Sequence, residues 1–178
     1  MSQDALQQDS SPGDAVDAIV AQWIRERPDV DPAAKHITGR IVRLASLFHE
    51  QFERAYQSAF APLGLNAGDF GVLAPLRRVG EPFELTPTEL ARHRMITSGG
   101  MTAALDKLER KGLVTRVPNP NDRRGTLVRL TDEGRRLIDE AMELHTACEH
   151  QLVSVLSADD LRELERILRQ LVIATEQI

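Results

Sequence analysis

The sequence contains one cysteine and lacks any long apolar run, and each absence excludes a class of structure. Cys148 has no second cysteine with which it could form an intramolecular disulfide. No apolar stretch approaches the roughly 20 residues of a membrane-spanning helix, so we expect no membrane partner. The N-terminus, MSQDALQQDSSPGD, has neither the basic nor the apolar segment of a secretory signal. Together these features predict a cytoplasmic protein.

Catalytic and metal-binding motifs are also missing from the sequence. It contains no phosphate-binding loop, no dinucleotide fingerprint and no serine–histidine–aspartate pattern. His145 and Cys148 could share one helix face, but no second pair at metal-ligand spacing accompanies them. We therefore predict a protein that is not an enzyme and that has no cofactor and no metal site.

Charge is unevenly distributed along the chain, whose net charge is −5. Residues 91–130 hold nine Lys/Arg and three Asp/Glu, a net +6, whereas the rest of the chain carries −11. A compact basic segment inside an acidic chain is typical of a site that holds phosphate. A solvated surface with a chance excess of charge is the alternative explanation.

Apolar periodicity predicts helices along most of the chain. The predicted helices occupy residues 14–27, 33–61, 66–78, 86–95, 97–112 and 131–156, and a last one begins at Ser157. The clearest start is a capping box of Thr86 and Glu89, with Pro87 at the first helical position. The fold class is therefore predicted to be mostly α, with long N- and C-terminal helices.

A β hairpin follows the fifth predicted helix. Residues 113–117 and 126–130 have the composition of strands, and the turn PNPNDRRG joins them. Two helices with a short turn between them, followed by a hairpin with a charged tip, predict a winged helix-turn-helix with a two-stranded β wing.

Small residues at the start of the second of these helices favour contact with DNA. Side chains at the N-terminal end of a recognition helix reach base edges in the major groove, and arginines at the wing tip reach the adjacent minor groove. We assign Arg123 to DNA and expect the Asp122 carboxylate to orient the wing by pairing with Arg124, although the order of the two arginines stays open. The predicted DNA-binding residues are Thr97, Ser98, Gly99, Thr102, Ala103, Lys107, Arg110, Arg116, Asn121, Arg123 and Arg124. A solvated hairpin whose arginines bind nothing is the alternative.

Three motifs in this region resemble the MarR family of bacterial transcriptional regulators. LERKGLV, the DRRG hairpin tip and LTDEG follow one another in the family's order within residues 85–134, and with the flanking helices the resemblance covers residues 34–176. It implies a homodimer with intertwined terminal helices, a palindromic operator in double-stranded DNA, and often release by a small aromatic or anionic effector. The last helix is too apolar to stay exposed, which agrees with dimerisation.

On this basis we expect a sequence-specific regulator, most simply a repressor, with a clear domain order. Residues 1–13 are expected to be disordered, and residues 14–32 to form an extra helix and a linker. The dimerisation helices are assigned to residues 33–64 and 131–178, and the winged helix-turn-helix to residues 65–130.

The segment WIRERPDVDPAAKHITGRIVRL is similar to the N-terminal extension of the urate-responsive and PecS-like branch of the family. In that branch a Trp of this segment, an Asp and two Arg line the effector pocket. Trp23 and Arg116 match the Trp and one Arg, whereas Gly71 and Ala104 stand at the other two positions. The effector residues that the resemblance implies are Trp23, Phe48, Gly71, Ala104 and Arg116, for a ligand larger or less polar than urate. Packing of Trp23 on the long helix that follows is the alternative.

Two other functions stay open. A redox-responsive regulator would use Cys148, with His145 and His150 nearby in sequence, and its Cys148→Ser variant would ignore peroxide. A winged-helix module that binds a protein instead of DNA would show no salt-dependent DNA affinity.

Overall fold

The computed structural model describes residues 13–94, 98–122 and 124–177. Its helices are α1 (Ala15–Glu26), α2 (Lys35–Ala55), α3 (Ala67–Arg78), α4 (Pro87–Arg94), α5 (Ser98–Arg110), α6 (Asp132–Val153) and α7 (Ala158–Thr175). Its strands are β1 (Glu84–Leu85), β2 (Val114–Pro118) and β3 (Thr126–Leu130). This order confirms the predicted mostly helical fold with a β wing. Residues 1–12 of the segment expected to be disordered lie outside the described residues.

The chain divides into two compact units after Glu50. α2 begins in the first unit and ends in the second, where a π-helical turn, Tyr56–Phe60, follows it. The helix predicted over residues 33–61 thus continues to Phe60, but its last turn is π-helical instead of α-helical. Phe60 is only 1% exposed, and its ring lies 4.6 Å from the Tyr56 ring. The wider turn thus carries two packed aromatic side chains, a feature that apolar periodicity does not distinguish from an α-helix.

In the first unit, packing and charge tie α1 to α2. Asp14 caps α1, because its carboxylate accepts from the backbone N–H groups of Val16 and Asp17. The two helices approach so closely that a Cβ on Gly39 would lie 2.9 Å from Cγ1 of Val16. Arg40 of α2 donates to Asp14 at 2.9 Å and to Asp17 at 2.7 Å. The N-terminal extension is therefore an ordered helix anchored on α2.

In the second unit, side-chain caps set the starts of the helices. Thr86 and Glu89 cap α4 reciprocally, with the backbone N–H of Glu89 donating to Oγ1 of Thr86 at 3.2 Å and the N–H of Thr86 donating to Oε2 of Glu89 at 2.7 Å. This geometry confirms the predicted capping box. Thr131 and Ser157 cap α6 and α7 in the same way, each accepting from a backbone N–H three residues on.

The wing is part of a three-stranded antiparallel sheet with the order β1-β3-β2. β2 and β3 form the predicted hairpin, in which Val114 lies opposite Leu130. β1 adds a third strand that the sequence does not predict, with Glu84 opposite Arg129. A strand of two residues is too short to show the alternation by which strands are recognised.

One hydrophobic core joins the helix-turn-helix to the wing. Its centre contains Leu73 of α3, Leu90 of α4, Leu108 of α5 and Val128 of β3, and each of them is 0% exposed. α7 contributes no buried residue to this core. Within the described ranges, no helix combines the length and the apolar character needed to cross a bilayer.

Candidate nucleic-acid interface

α5 turns one side to the core and the other to solvent. Met101, Leu105 and Leu108 are buried and fix the rotation of the helix about its axis. Thr102 and Ala103, on the opposite side, are exposed. Both are small, so the backbone of α5 can approach a partner closely at this point. These two predicted residues have the exposure that contact with base edges requires.

The other predicted residues of α5 lie towards its ends. Thr97 falls outside the described residues, and Ser98 and Gly99 are the first positions of the helix, so their contacts with DNA stay predictions. Arg110, in the last turn, is exposed, and its Nε donates to the carbonyl oxygen of Asp106 at 3.3 Å. Among the described residues no carboxylate pairs with Arg110, which leaves its charge available to a phosphate.

Lys107, a predicted DNA-binding residue, forms an ion pair with α3 while 39% of its side chain stays exposed. Its Nζ is 2.8 Å from Oδ1 and 3.1 Å from Oδ2 of Asp69, a residue only 4% exposed. A buried carboxylate needs an opposite charge, and the flexible stem of a lysine can reach it. The sequence does not predict this ion pair, because Asp69 lies 38 residues earlier in the chain, where no local pattern reveals it.

Arg116 of β2 is held by two carboxylates of α5. Its guanidinium donates to Oδ1 of Asp106 at 2.6 Å and also to Glu109. The hydrogen bond to Asp106, supported by the charges of both carboxylates, raises the pKa of Arg116. Arg116 was predicted to contact both DNA and effector, and the contacts observed instead join the wing to the recognition helix.

The wing tip consists of two consecutive turns closed by side-chain oxygens. The backbone N–H of Asn121 donates to Oδ1 of Asn119 at 2.9 Å, and the N–H of Arg124 donates to Oδ1 of Asp122 at 2.9 Å. The two strands join below these turns, where Asn119 N–H donates to the carbonyl oxygen of Gly125 at 3.1 Å. Asn121 and Arg124 are exposed, as their predicted role requires.

The Asp122 carboxylate closes the wing tip through the backbone, where it accepts from the N–H of Arg124. Both Asp122 and Arg124 are described, and no ion pair joins their side chains, whereas the other order, in which Asp122 pairs with Arg123, lies outside the described residues. The carboxylate instead fills the inside of the turn, where a Cβ on Gly125 would lie 2.8 Å from its Oδ2. A larger residue at position 125 would therefore displace the Asp122 carboxylate from this place. Arg123 lies outside the described residues, and its contact with DNA stays a prediction.

Arg92 of α4 is a further candidate that sequence analysis did not single out. It is exposed, and within the described part of the chain no carboxylate pairs with it. The first helix of a helix-turn-helix crosses the DNA backbone, so Arg92 is a candidate for a phosphate contact. Arg92 is one of the nine basic residues of the segment 91–130. No sequence motif distinguishes a single arginine on a helix as a DNA-binding residue.

The residues predicted to hold an effector are divided between the two units. Trp23 and Phe48 belong to the first unit. The Trp23 ring is 45% exposed, and Nζ of Lys35 lies 5.6 Å from its centre, so Trp23 touches α2 without being a core residue of its unit. The second unit holds the other three, which are half-buried: Gly71, Ala104 and Arg116.

A cleft of about 460 Å³ lies between α3 and α6 in the second unit. It is lined by Phe70, Ala74, Pro75, Arg77, Arg78, Gly80, Met142, His145 and Glu149. His145 is held at its wall by the Tyr56 hydroxyl, 3.2 Å from Nδ1, and by Glu149, 3.2 Å from Nε2. Burial raises the pKa of Tyr56 to about 12, so its hydroxyl keeps its proton at neutral pH. None of the predicted effector residues lines this cleft.

Cys148 is a free, half-buried thiol on α6. His145, which could have activated it, directs its ring nitrogens to Tyr56 and Glu149 instead. The redox alternative therefore gains no supporting contact from His145. In the ranges that the structure describes, no group of three or more His, Cys, Asp or Glu is placed to hold a metal ion.

Two helices, an exposed outer side on the second and an adjoining β hairpin define a winged helix-turn-helix domain. Residues 63–125 match the MarR family. The HTH-type transcriptional regulator PecS of Dickeya dadantii is 35% identical over 153 residues, which cover 86% of this chain and 90% of PecS. The chain therefore belongs to the MarR family of transcriptional regulators.

Solved structures of the family support the same assignment. A cysteine variant of Escherichia coli MarR in complex with operator DNA is 31% identical, with a TM-score of 0.63 and coverage of 80% of this chain and 99% of that one. Sco3205 of Streptomyces coelicolor, also in complex with DNA, is 26% identical, with a TM-score of 0.66 and coverage of 80% and 88%. These relatives are regulators, which agrees with the prediction of a protein that is not an enzyme.

The role of Asp122 leads to a testable expectation. The test duplex is one that the wild-type protein selects from random-sequence DNA. Asp122→Ala is expected to lower the affinity for this duplex about tenfold. Without the carboxylate the turn is less ordered before binding, and ordering the backbone of one residue on binding costs roughly 1–2 kcal/mol. Fluorescence anisotropy would measure the affinity. The melting temperature should stay within about 2 °C, since the turn is exposed.

The control for Asp122→Ala is Glu143→Ala, which removes the same charge from an exposed position of α6. Its affinity should equal that of the wild type. Removal of a negative charge near DNA would by itself strengthen binding, so a tighter Asp122→Ala complex would show that the turn does not present the wing.

Proposed function

We propose that this protein is a homodimeric repressor that binds a specific DNA operator in the cytoplasm. The observation that carries the proposal is the exposed outer side of α5 beside a wing tip built to present arginine. α5 would enter the major groove with Thr102 and Ala103 at the bases, and the wing would lie over the adjacent minor groove. Arg92, Arg110 and Arg124 would neutralise phosphates. Both the specificity and the repressor role are part of this proposal.

The apolar surfaces of the terminal helices support a homodimer. On α7, Leu164, Ile167, Leu168 and Leu171 are each between 39% and 41% exposed. On α2, Ile37 is 57% exposed. Regular apolar faces of this kind are costly in water and mark a surface that another chain covers. A twofold dimer would place two recognition helices on half-sites about one DNA turn apart, so the operator would be palindromic.

We further propose that a small aromatic or anionic molecule releases the repressor from DNA. The cleft between α3 and α6 has a size suited to such a ligand, with an aromatic wall at Phe70 and polar groups at Arg77 and His145. The ligand would act by binding more tightly to the dimer geometry that spaces the recognition helices wrongly for DNA.

The experiment that tests DNA recognition removes a wing arginine. Arg123→Ala is expected to weaken binding to the selected duplex by about tenfold or more, as removal of a charge-assisted contact does, while the melting temperature stays unchanged. Arg25→Ala removes the same charge from an exposed position of α1, outside the winged helix-turn-helix, and should leave affinity intact. A melting temperature that falls in step with affinity would refute the wing role.

The effector proposal is tested by Trp23, the only tryptophan in the chain. Trp23 does not line the cleft, so an aromatic acid that releases the selected duplex without changing the Trp23 emission supports the cleft, whereas one that quenches or shifts the emission supports the pocket implied by the resemblance. In either case the effector should bind more weakly when the selected duplex is present, because coupling between two sites is reciprocal. A compound that binds equally with and without DNA is not an effector. If no compound changes the emission and Trp23→Phe keeps its response to an inducer found by DNA release, Trp23 is not at the effector site.

A further inference from the structure

Asp69 stands apart from the other charged residues of the described chain. It is the one charged side chain there that is buried, with 4% of its surface exposed. It lies in the first turn of α3, where its backbone N–H donates to Oδ1 of the capping residue Asn66 at 2.9 Å. The cap therefore accepts the backbone N–H of Asp69. The Asp69 carboxylate takes no part in the cap and can pair with another helix.

The carboxylate of Asp69 reaches the recognition helix and its C-terminal continuation. Lys107 Nζ lies 2.8 Å from Oδ1, and Lys111 Nζ lies 2.7 Å from Oδ2. Lys111 also donates to the carbonyl oxygen of Gly64 at 2.6 Å, in the loop before α3. Two ammonium groups one helical turn apart thus converge on one buried carboxylate, and Asp69, Lys107 and Lys111 are called the anchor cluster below.

A second set of ionic contacts lies on the side of α5 that faces strand β2 of the wing. There Asp106 and Glu109 hold Arg116 of β2. Ionic contacts therefore fix α5 on two sides, to α3 through lysines and to the wing through carboxylates. Rotation of α5 about its axis would pull both lysines away from Asp69 and leave a buried charge without a partner, which is strongly unfavourable.

We propose that Asp69 is a positioning residue for DNA recognition, and that Lys107 and Lys111 serve this anchor and do not contact phosphates. Asp69 sets the rotation of α5 and so determines which side chains meet the bases. The proposal rests on the DNA-binding function proposed above. It assigns two of the basic residues on and after the recognition helix to ion pairs with the buried Asp69 carboxylate, so they contribute nothing to counterion release.

The salt dependence of binding tests the lysine assignment. Log affinity falls linearly with log salt concentration, and removing one phosphate contact from each protomer makes this dependence less steep by about one per protomer. Lys107→Gln is expected to leave this slope unchanged on the selected duplex, whereas Arg124→Gln, at the wing tip, is expected to lower it. A fall in slope for Lys107→Gln equal to that for Arg124→Gln would overturn the proposal, because Lys107 would then contact a phosphate.

The ratio of specific to non-specific affinity tests the role of Asp69. Asp69→Asn keeps the shape of the side chain and removes the charge that holds the lysines. It is expected to lower the affinity for the selected duplex about tenfold or more, as a disturbed base contact does. Its affinity for a scrambled duplex of the same composition should be at least that of the wild type, because each protomer loses one negative charge and its net charge becomes more positive.

The outcomes are distinguishable. An equal fall in affinity for both duplexes, or an unchanged ratio in a folded Asp69→Asn protein, would overturn the positioning role. If Asp69→Asn does not fold, as judged by circular dichroism, the slope measured for Lys107→Gln decides alone. A wild-type protein that selects no duplex would overturn the proposed function and this inference with it, whereas a selective wild type with an unchanged variant ratio would overturn this inference only.

Discussion

Raising the salt concentration from about 50 to about 200 mM is expected to lower the affinity for the selected duplex about a thousandfold. In the proposed dimer, Arg92, Arg110 and Arg124 of each protomer would make about six phosphate contacts, and each contact would release condensed counterions when it forms. The chain as a whole is acidic, with net charge −5, so general attraction to DNA cannot replace these local contacts. Fluorescence anisotropy at several salt concentrations measures the slope.

Two comparisons support the interpretation of the salt experiment. The melting temperature in the same buffers should change little, which would show that salt acts on the complex and not on the fold. Affinity that stays flat over this range would refute DNA binding through the basic segment and would favour the alternative of a winged-helix module that binds a protein.

The largest effect on stability is expected from Gly134→Ala. Gly134 is buried in the first turn of α6, and a Cβ there would lie 2.0 Å from the carbonyl oxygen of Leu113 and 2.9 Å from its carbonyl carbon. That oxygen already accepts from the N–H of Thr131 at 3.1 Å, so it cannot move away without breaking the start of α6. We expect destabilisation by about 3 kcal/mol or more, at the upper end of overpacking effects.

A thermal melt followed by circular dichroism measures the effect of Gly134→Ala. Destabilisation by about 3 kcal/mol corresponds to a fall of roughly 6–12 °C in a chain of this size. Glu143→Ala, at an exposed position of the same helix, should melt as the wild type does. A Gly134→Ala protein within about 2 °C of the wild type would mean that α6 can shift away from Leu113 at little cost.

Local signals in the sequence predicted the helix starts well. Thr86 and Glu89, Thr131, and Ser157 form caps with partners at most three residues away, so each cap can be recognised in a short window. Gly134 is likewise visible in a short window, as the last residue of the LTDEG motif. The sequence does not show why a glycine stands there, because the backbone that leaves no room for a Cβ belongs to Leu113. Short-range rules also located the hairpin, because its turn residues are clustered.

Features that depend on distant partners were not predictable from the sequence. Lys107 follows the pattern of an exposed helix residue, and only the fold brings the Asp69 carboxylate to 2.8 Å from it. Arg116 likewise meets Asp106 because β2 returns alongside α5. Asp122 was identified as the residue that orients the wing, but whether its carboxylate meets a guanidinium or a backbone N–H depends on turn geometry that composition does not determine.

The position of β3 at the centre of the sheet has a consequence for how related sequences can diverge. β3 is paired on both sides near its end, with β1 at Glu84 and with β2 at Val114, so inserting or deleting one residue in it would turn its inward side chains outward. The described tip residues, 119–122 and 124–125, lie beyond these pairings, and their hydrogen bonds close turns. We therefore expect insertions and deletions among relatives to accumulate at the tip, where they change the reach of the hairpin while its base stays constant. Hairpin length would then be the part of this fold that evolution adjusts most freely to different operators.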